Sequence, residues 1–258
     1  MGFLSHIRPL PRVEWREEVR SMKRSKAWLC LLFLPLLALL GAREGAVPAL
    51  SPEPTAYLAL TFDDSPNGEM TERLLDGLAA RGAHATFFVI GEQIASQEPI
   101  LRRMAAEGHQ VGNHTWTHRR LDTSGCVGLH ELVRTEEMLC AVAGGEKHWI
   151  RPPWGFASAE TLREAEAPLI YWSLDTEDWR VLNAERIAQC IVDNARDGDI
   201  VLLHDSYGSS VDAALMAIDT LAARGFAFVT VEELFARMEV VPERGCLYCR
   251  PDQLREVK

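Results

Sequence analysis

Two acids, Asp63 and Asp64, close the apolar run Tyr57-Leu58-Ala59-Leu60-Thr61-Phe62, and about fifty residues later His114 and His118 flank Thr115-Trp116-Thr117. One carboxylate and two imidazoles make a three-ligand divalent-metal site with a position left open, the arrangement that activates water. The second carboxylate beside it is placed to act as a general base. The pattern is that of a metallohydrolase. It lacks the glutamate of a His-Glu-x-x-His helix, which argues against a metalloprotease.

The elements that must position these groups can be read from periodicity. Apolar or β-branched runs recur at 57–62, 85–90, 109–113, 148–151, 169–174, 199–203 and 226–230. Helical spacing fills the intervals at about 70–81, 98–107, 128–142, 158–166, 184–194 and 211–224, with 231–239 closing the series. Strands alternating with helices of this length predict βαβ units and a largely parallel sheet, open or closed into a barrel. Gly82, Gly108, Gly198 and Gly225 each follow a helix where a left-handed cap is needed. Neither a dinucleotide glycine fingerprint nor a Walker loop is present.

Further chemistry falls at the ends of the same runs. Arg151-Pro152-Pro153-Trp154-Gly155 ends the fourth, Asp175-Thr176-Glu177-Asp178-Trp179 the fifth and His204-Asp205 the sixth. The carboxyl ends of barrel strands are where such enzymes build their sites. Each motif alone has a plain structural reading: paired acids cap turns, Arg-Pro-Pro-Trp stiffens a loop, Asp-Trp packs a corner. Five in this order, each on a strand end, do not arise by coincidence.

Composition bounds the partners and the compartment. Residues 1–42 carry seven of the 27 Lys and Arg and three of the 37 Asp and Glu. That leaves 20 basic and 34 acidic residues, a formal charge of −14 on the remainder. Phosphate backbones need clustered cations, so nucleic acid is excluded as a partner; no protein partner can be inferred. Met22-Lys23-Arg24-Ser25-Lys26, the apolar run Ala27–Leu40 and the small residues Gly41-Ala42 read as a secretory signal peptide, with translation starting at Met22. An uncleaved membrane anchor is the alternative, although the run is shorter than the ~20 residues of a span. The expected organisation is residues 1–42 as N-terminal extension plus signal peptide, 43–55 as linker, 56–239 as catalytic domain and 240–258 as a charged tail with Cys246-x-x-Cys249. That tail pair is expected as a local disulfide or two free thiols, Cys126 and Cys140 are candidates to pair, and Cys190 reads as a buried small residue.

As a set, the five motifs resemble those of the polysaccharide deacetylases with NodB-like catalytic domains, carbohydrate esterase family 4, over residues 56 to 237. The resemblance implies a distorted (β/α) barrel of about seven parallel strands, a divalent metal with zinc expected, and removal of N-acetyl groups from amino-sugar polymers. By position it implies Asp63 as catalytic base, Asp64, His114 and His118 as metal ligands, Arg151 as the residue holding the base, and His204 as general acid. Either Asp175 or Asp178 tunes that histidine. The Trp154 N–H is expected to stabilise the oxyanion, and Trp116, Trp154, Trp179 and Tyr207 are candidate sugar-stacking walls. Two departures stand out: Ser65 where the family commonly has glycine, and Trp154 where tyrosine is more frequent. Arg119 and Arg120 are expected to be solvent-exposed, with contact to an acidic substrate group as the functional alternative. The substrate expected is N-acetylglucosamine-containing envelope glycan, peptidoglycan first and chitin-like oligosaccharide second. An O-acetyl esterase on acetylated polysaccharide and a silent metal-containing glycan-binding protein are the alternatives.

Overall fold

The computed structural model describes residues 53–122 and 126–256; the expected signal segment, most of the 43–55 linker, Cys30 and the Cys126 side chain lie outside the described residues. The run carrying the paired acids is β1 (Ala56–Ser65). Its side chains alternate as an extended chain requires. Leu58, Leu60 and Phe62 enter one apolar cluster, while Ala59 enters another on the opposite face, the face shared by Thr61 and Asp63.

From there the chain runs α1 (Glu69–Ala79), β2 (Thr86–Val89), α2 (Gly91–Ala106), β3 (Gln110–Asn113), α3 (Cys126–Val142), a 3-10 turn at Pro153–Gly155, α4 (Ala159–Glu164) and β4 (Leu169–Ile170). It continues through β5 (Leu174–Asp175), α5 (Asp178–Val181), α6 (Ala184–Asn194), β6 (Asp199–His204), α7 (Gly208–Ala222), β7 (Phe226–Phe228) and α8 (Val231–Arg237) to β8 (Leu247–Arg250) and β9 (Gln253–Leu254). Every helix predicted from apolar spacing is found. Only α2 begins well before its expected start, because Gln97 leaves helical geometry at φ −132° and Pro99 lies inside the helix, so the spacing exposed its second half alone. The four capping glycines all have positive φ.

Parallel pairing gives the order β3-β2-β1-β6-β5, with β7 added to the first residues of β1. Past β3 the pairing continues through single bridges, Asn113 to Ile150 and Ile150 to Leu169. The short segment 171–173 joins β4 to β5, which pairs with β6, so the circuit returns to β1 through a strand broken at its middle. This is the distorted (β/α) barrel. Of the seven predicted runs, 148–151 is reduced to one bridging residue and 169–174 is split in two.

The larger core lies between the strands and α1, α2, α6 and α7, where Phe62 stacks on Phe87 at 5.4 Å. Each such fully buried side chain contributes about 1.5–3 kcal/mol. The second cluster joins Ala59, Phe88 and Ile200 of the strands to Leu234 and Phe235 of α8. Of residues 240–258, expected as a charged tail beyond the domain, the described part, 240–256, packs onto it: β8 pairs with β4, Leu247 and Tyr248 are buried, and Arg250 binds Asp199 and the Asp197 carbonyl. Cys140, Cys190, Cys246 and Cys249 are free thiols, and Cys190 is half-buried rather than buried.

Candidate active site

Asp63 ends the interior face of β1 and is buried beside Arg151, itself fully enclosed. Arg151 Nη1 donates to Asp63 Oδ1 at 2.9 Å and to Thr61 Oγ1 at 2.5 Å. Its remaining donors reach the carbonyls of Ile170 and Tyr171, and the guanidinium lies 4.1 Å over the Phe88 ring. An arginine so saturated is fixed in place and always charged. Burial works against a charged Asp63, but Arg151, then His114 and His204, outweigh it and hold the carboxyl below its usual range. Asp63 is therefore a bare carboxylate at neutral pH.

Asp64, one residue on, reaches the same end of the barrel through a left-handed turn, φ 62°. Ser65 remains in β1 with no positive φ, so its backbone does not require a glycine; the strain sits on Asp64. Asn67 holds that strained backbone, donating from Nδ2 to the Asp64 carbonyl at 2.8 Å. Asp64 Oδ1 stands 3.6 Å from His114 Nε2 and 3.2 Å from His118 Nε2. His114 follows β3, and its Nδ1 contacts the Arg151 carbonyl at 2.8 Å. A carbonyl only accepts, so Nδ1 carries a hydrogen, and Nε2 is the ring nitrogen turned to Asp64. Burial and the neighbouring His114 hold His118 below the ordinary imidazole value, which favours its neutral ring. The loop bearing both histidines is clamped to α3: the Thr117 N–H donates to Glu131 Oε2 at 2.6 Å, and Asn113 Nδ2 to the Leu132 carbonyl at 2.9 Å.

Across the opening, register pairs Asp63 of β1 with His204 of β6. His204 Nδ1 meets Asp178 Oδ1 at 2.9 Å, and its backbone N–H donates to Asp178 Oδ2 at 2.7 Å. Ser210 Oγ donates to the same oxygen at 2.6 Å. Burial pulls the imidazole down, but the Asp178 hydrogen bond and charge, with Asp63 and Asp64 beyond, raise it to about 9. Asp178 is thus the partner of His204. Asp175, the other candidate, accepts the Glu177 N–H at 2.9 Å and rims the opening instead. Sequence reasoning passed over Asp205, fully buried and pushed up to about 6 by burial, against hydrogen bonds from Thr71 and Asn67. It ties the loop after β1 to the end of β6.

The three groups converge on a cleft of about 400 Å³ lined by Asp63, Asp64, His114, His118, Asp175 and His204, with Trp154, Trp172, Trp179 and Tyr207 as its aromatic walls. Trp154 is left-handed at φ 53°, with its ring 4.2 Å from that of His118. Gly155 behind it admits no side chain, since a Cβ would fall 2.1 Å from Tyr171, which stacks on Trp172. Trp172 was not singled out from sequence; an apolar run with an aromatic at its end gives no sign of which face it joins. Trp116 is no part of the cleft. It packs over Gly91 and under Arg134, whose guanidinium is 3.7 Å from its ring. Arg120 binds Asp122 and lies 3.8 Å over Phe156.

The model for the family described as polysaccharide deacetylase matches residues 51–168. Over 179 residues the chain is 34% identical to the peptidoglycan-N-acetylglucosamine deacetylase PgdA of Listeria monocytogenes, covering 69% of this chain and 38% of that protein. Among solved structures, peptidoglycan deacetylase PdaC from Bacillus subtilis is 34% identical with a TM-score of 0.70, covering 74% of this chain and 94% of that one. The chain belongs to the polysaccharide deacetylase family. A family 4 acetyl xylan esterase from Clostridium thermocellum, in complex with a cobalt ion, also matches, at 31% identity and TM-score 0.72 over 76% of this chain and all (100%) of that one. The chain spans well under half (38%) of the length of PgdA.

Polysaccharide deacetylases of this kind use a divalent metal, and the residues here fit one. Asp64 Oδ1, the oxygen nearest both imidazoles, is buried and accepts no hydrogen bond. The donor atoms of Asp64, His114 and His118 lie within 4.8 Å of one another. One carboxylate and two imidazoles suit zinc, cobalt or a similar divalent ion.

Proposed function

We propose that this chain is a metal-dependent N-deacetylase of N-acetylglucosamine-containing envelope glycan, exported by its N-terminal signal segment, with zinc as its ion. The observation that carries the reading is the flanking of one candidate metal triad by two buried aspartates with opposite partners: Asp63 on Arg151 and Asp178 on His204. Amide hydrolysis needs a base and an acid at the same pH, and these pairs supply them.

Asp64, His114 and His118 would hold the ion, which supplies Lewis acidity for the acetyl carbonyl and lowers the pKa of water. Asp63 Oδ1 is occupied by Arg151, so Oδ2 takes the proton from the attacking water. The Trp154 N–H donates to the developing oxyanion. His204 Nδ1 is engaged by Asp178, so Nε2 delivers the proton that makes the amine a leaving group. Trp154 and Trp179, more than half exposed at the mouth of the cleft, offer ring faces to a sugar.

Substrate preference follows from charge. The side chains lining the cleft include three aspartates and neither lysine nor arginine, while Arg120 is engaged by Asp122 and Phe156. A neutral N-acetylglucosamine unit therefore suits the reacting position better than one bearing a lactyl carboxylate. Peptidoglycan is the favoured polymer because PgdA is a peptidoglycan-N-acetylglucosamine deacetylase, and a Bradyrhizobium chitooligosaccharide deacetylase, 40% identical over 159 residues, supports chitin-like oligomers next. The acetyl xylan esterase neighbour supports a second reading, O-acetyl ester hydrolysis at the same site.

The test is acetate release from N-acetylglucosamine oligomers, purified peptidoglycan and acetylated xylan. Metal-dependent acetate with an equivalent of free amine, lost in Asp63→Asn, is expected. Acetate from xylan alone would replace the amide reading with the ester one; none from any polymer would leave a glycan-binding protein.

A further inference from the structure

Away from the cleft, three side chains of different chemistry meet at the far end of α3. Glu136 and Cys140 lie one turn apart on the helix, and His148 comes from the loop that leads to Ile150 and Arg151. Glu136 Oε1 is 3.0 Å from His148 Nδ1 and 3.5 Å from Cys140 Sγ. The backbone N–H of His148 donates to that same oxygen at 3.0 Å. Three groups thus contend for one carboxylate oxygen with two lone pairs. A cation among them would take the imidazole and thiolate lone pairs and leave the backbone N–H its bond.

Their spacing suits this. The three donor atoms lie within 4.8 Å of one another. A tetrahedral zinc with bonds of about 2.0–2.3 Å sets its ligand atoms roughly 3.3–3.8 Å apart, so small side-chain adjustments close the shell. His148 is buried, Cys140 and Glu136 are half-buried, and the cluster opens on a separate cleft of about 480 Å³ that also holds Glu137 and Glu146. The Glu146 carbonyl is 4.0 Å from Cys140 Sγ, and it or a water from the cleft completes four ligands.

We propose that Glu136, Cys140 and His148 form a second divalent-metal site, selective for a thiophilic ion such as zinc or cobalt over magnesium or calcium. On binding, the Cys140 thiol loses its proton to solvent and a metal–sulfur bond forms. The ion is a staple: it joins α3, which clamps the His114–His118 loop through Glu131, to the segment entering Arg151.

Cobalt titration of the full chain, stripped of metal and kept reduced with a phosphine, tests the site. The catalytic triad has no sulfur, so the part of a thiolate-to-cobalt charge-transfer band that survives Cys246→Ser/Cys249→Ser, which removes the two tail thiols, reports the second site. Two cobalt ions per chain and that band are expected. His118→Ala should keep the band and lose one ion; Cys140→Ser should lose the band and one ion, with acetate release retained; His148→Gln should weaken the band and lower thermal stability of the metal-loaded protein. A band unchanged in Cys140→Ser, or a wild type that takes one cobalt without any thiolate band, overturns the proposal. Neither result depends on which glycan, if any, the enzyme cleaves.

Discussion

Asp63 and Asp178 are the same residue type, both buried, on opposite sides of one cleft, and they lead to opposite chemistry. Asp63 faces Arg151, whose charge is permanent, and is held below the usual carboxylate range. Asp178 faces His204, whose charge is not permanent, and helps raise it to about 9. The partner decides the role: a fixed cation leaves the carboxylate as the acceptor, and a titratable one turns the pair into a donor. Burial amplifies both, since neither charge can relax into water.

Ways to break this asymmetry differ in how much they should cost. Removing the divalent ion with chelator, between the two pairs, should abolish acetate release, with recovery on adding zinc or cobalt; activity that survives chelation would deny the triad any part in it. Asp63→Asn leaves the shape and takes away the base, and should lower kcat/KM by about 10²–10⁴-fold. Arg151→Met strands Asp63 as a buried, unpaired charge. Denaturant unfolding should show about 3–5 kcal/mol lost, and the acid limb of the residual activity should move to higher pH as the Asp63 carboxyl rises. Trp179→Ala touches neither pair, so it sharpens the comparison: KM should rise several-fold while both pH limbs stay where they are.

How much of this could be read from residues alone divides along the same line between local and tertiary. Periodicity exposed the helices and strands because each buries one face, and β1 shows why: its alternating residues divide between the helix-packed core and the barrel interior. The metal triad and Asp63 were legible because they stand at strand ends within two short motifs. The choice between Asp175 and Asp178 was not, since they stand three residues apart at the end of one strand and only the packing of α5 against β6 turns Asp178 toward His204. Trp116, within the histidine motif, looked like a wall of the cleft but points to α3, because backbone reversals at Thr115 and His118, φ 67° and 57°, redirect the loop. Residues 240–258 read as a tail because β8 is four residues long and charged at its end; its partner β4 is shorter still, and such pairings leave no periodic trace.

The pH profile of kcat/KM for the metal-loaded protein, wild type beside Asp178→Asn, tests the central claim most directly. The wild type should be bell-shaped: Asp63 must be ionised, so activity rises with pH through its pKa, and His204 must be protonated, so activity falls above a limb at or below about 9, the ion's positive charge pulling the imidazole down from that value. In Asp178→Asn, burial acts on His204 against Asp63 and Asp64 alone, and the alkaline limb should move to lower pH while the acid limb holds. An alkaline limb that stays in place would contradict the assignment of His204 and Asp178 as the proton donor and its tuning partner.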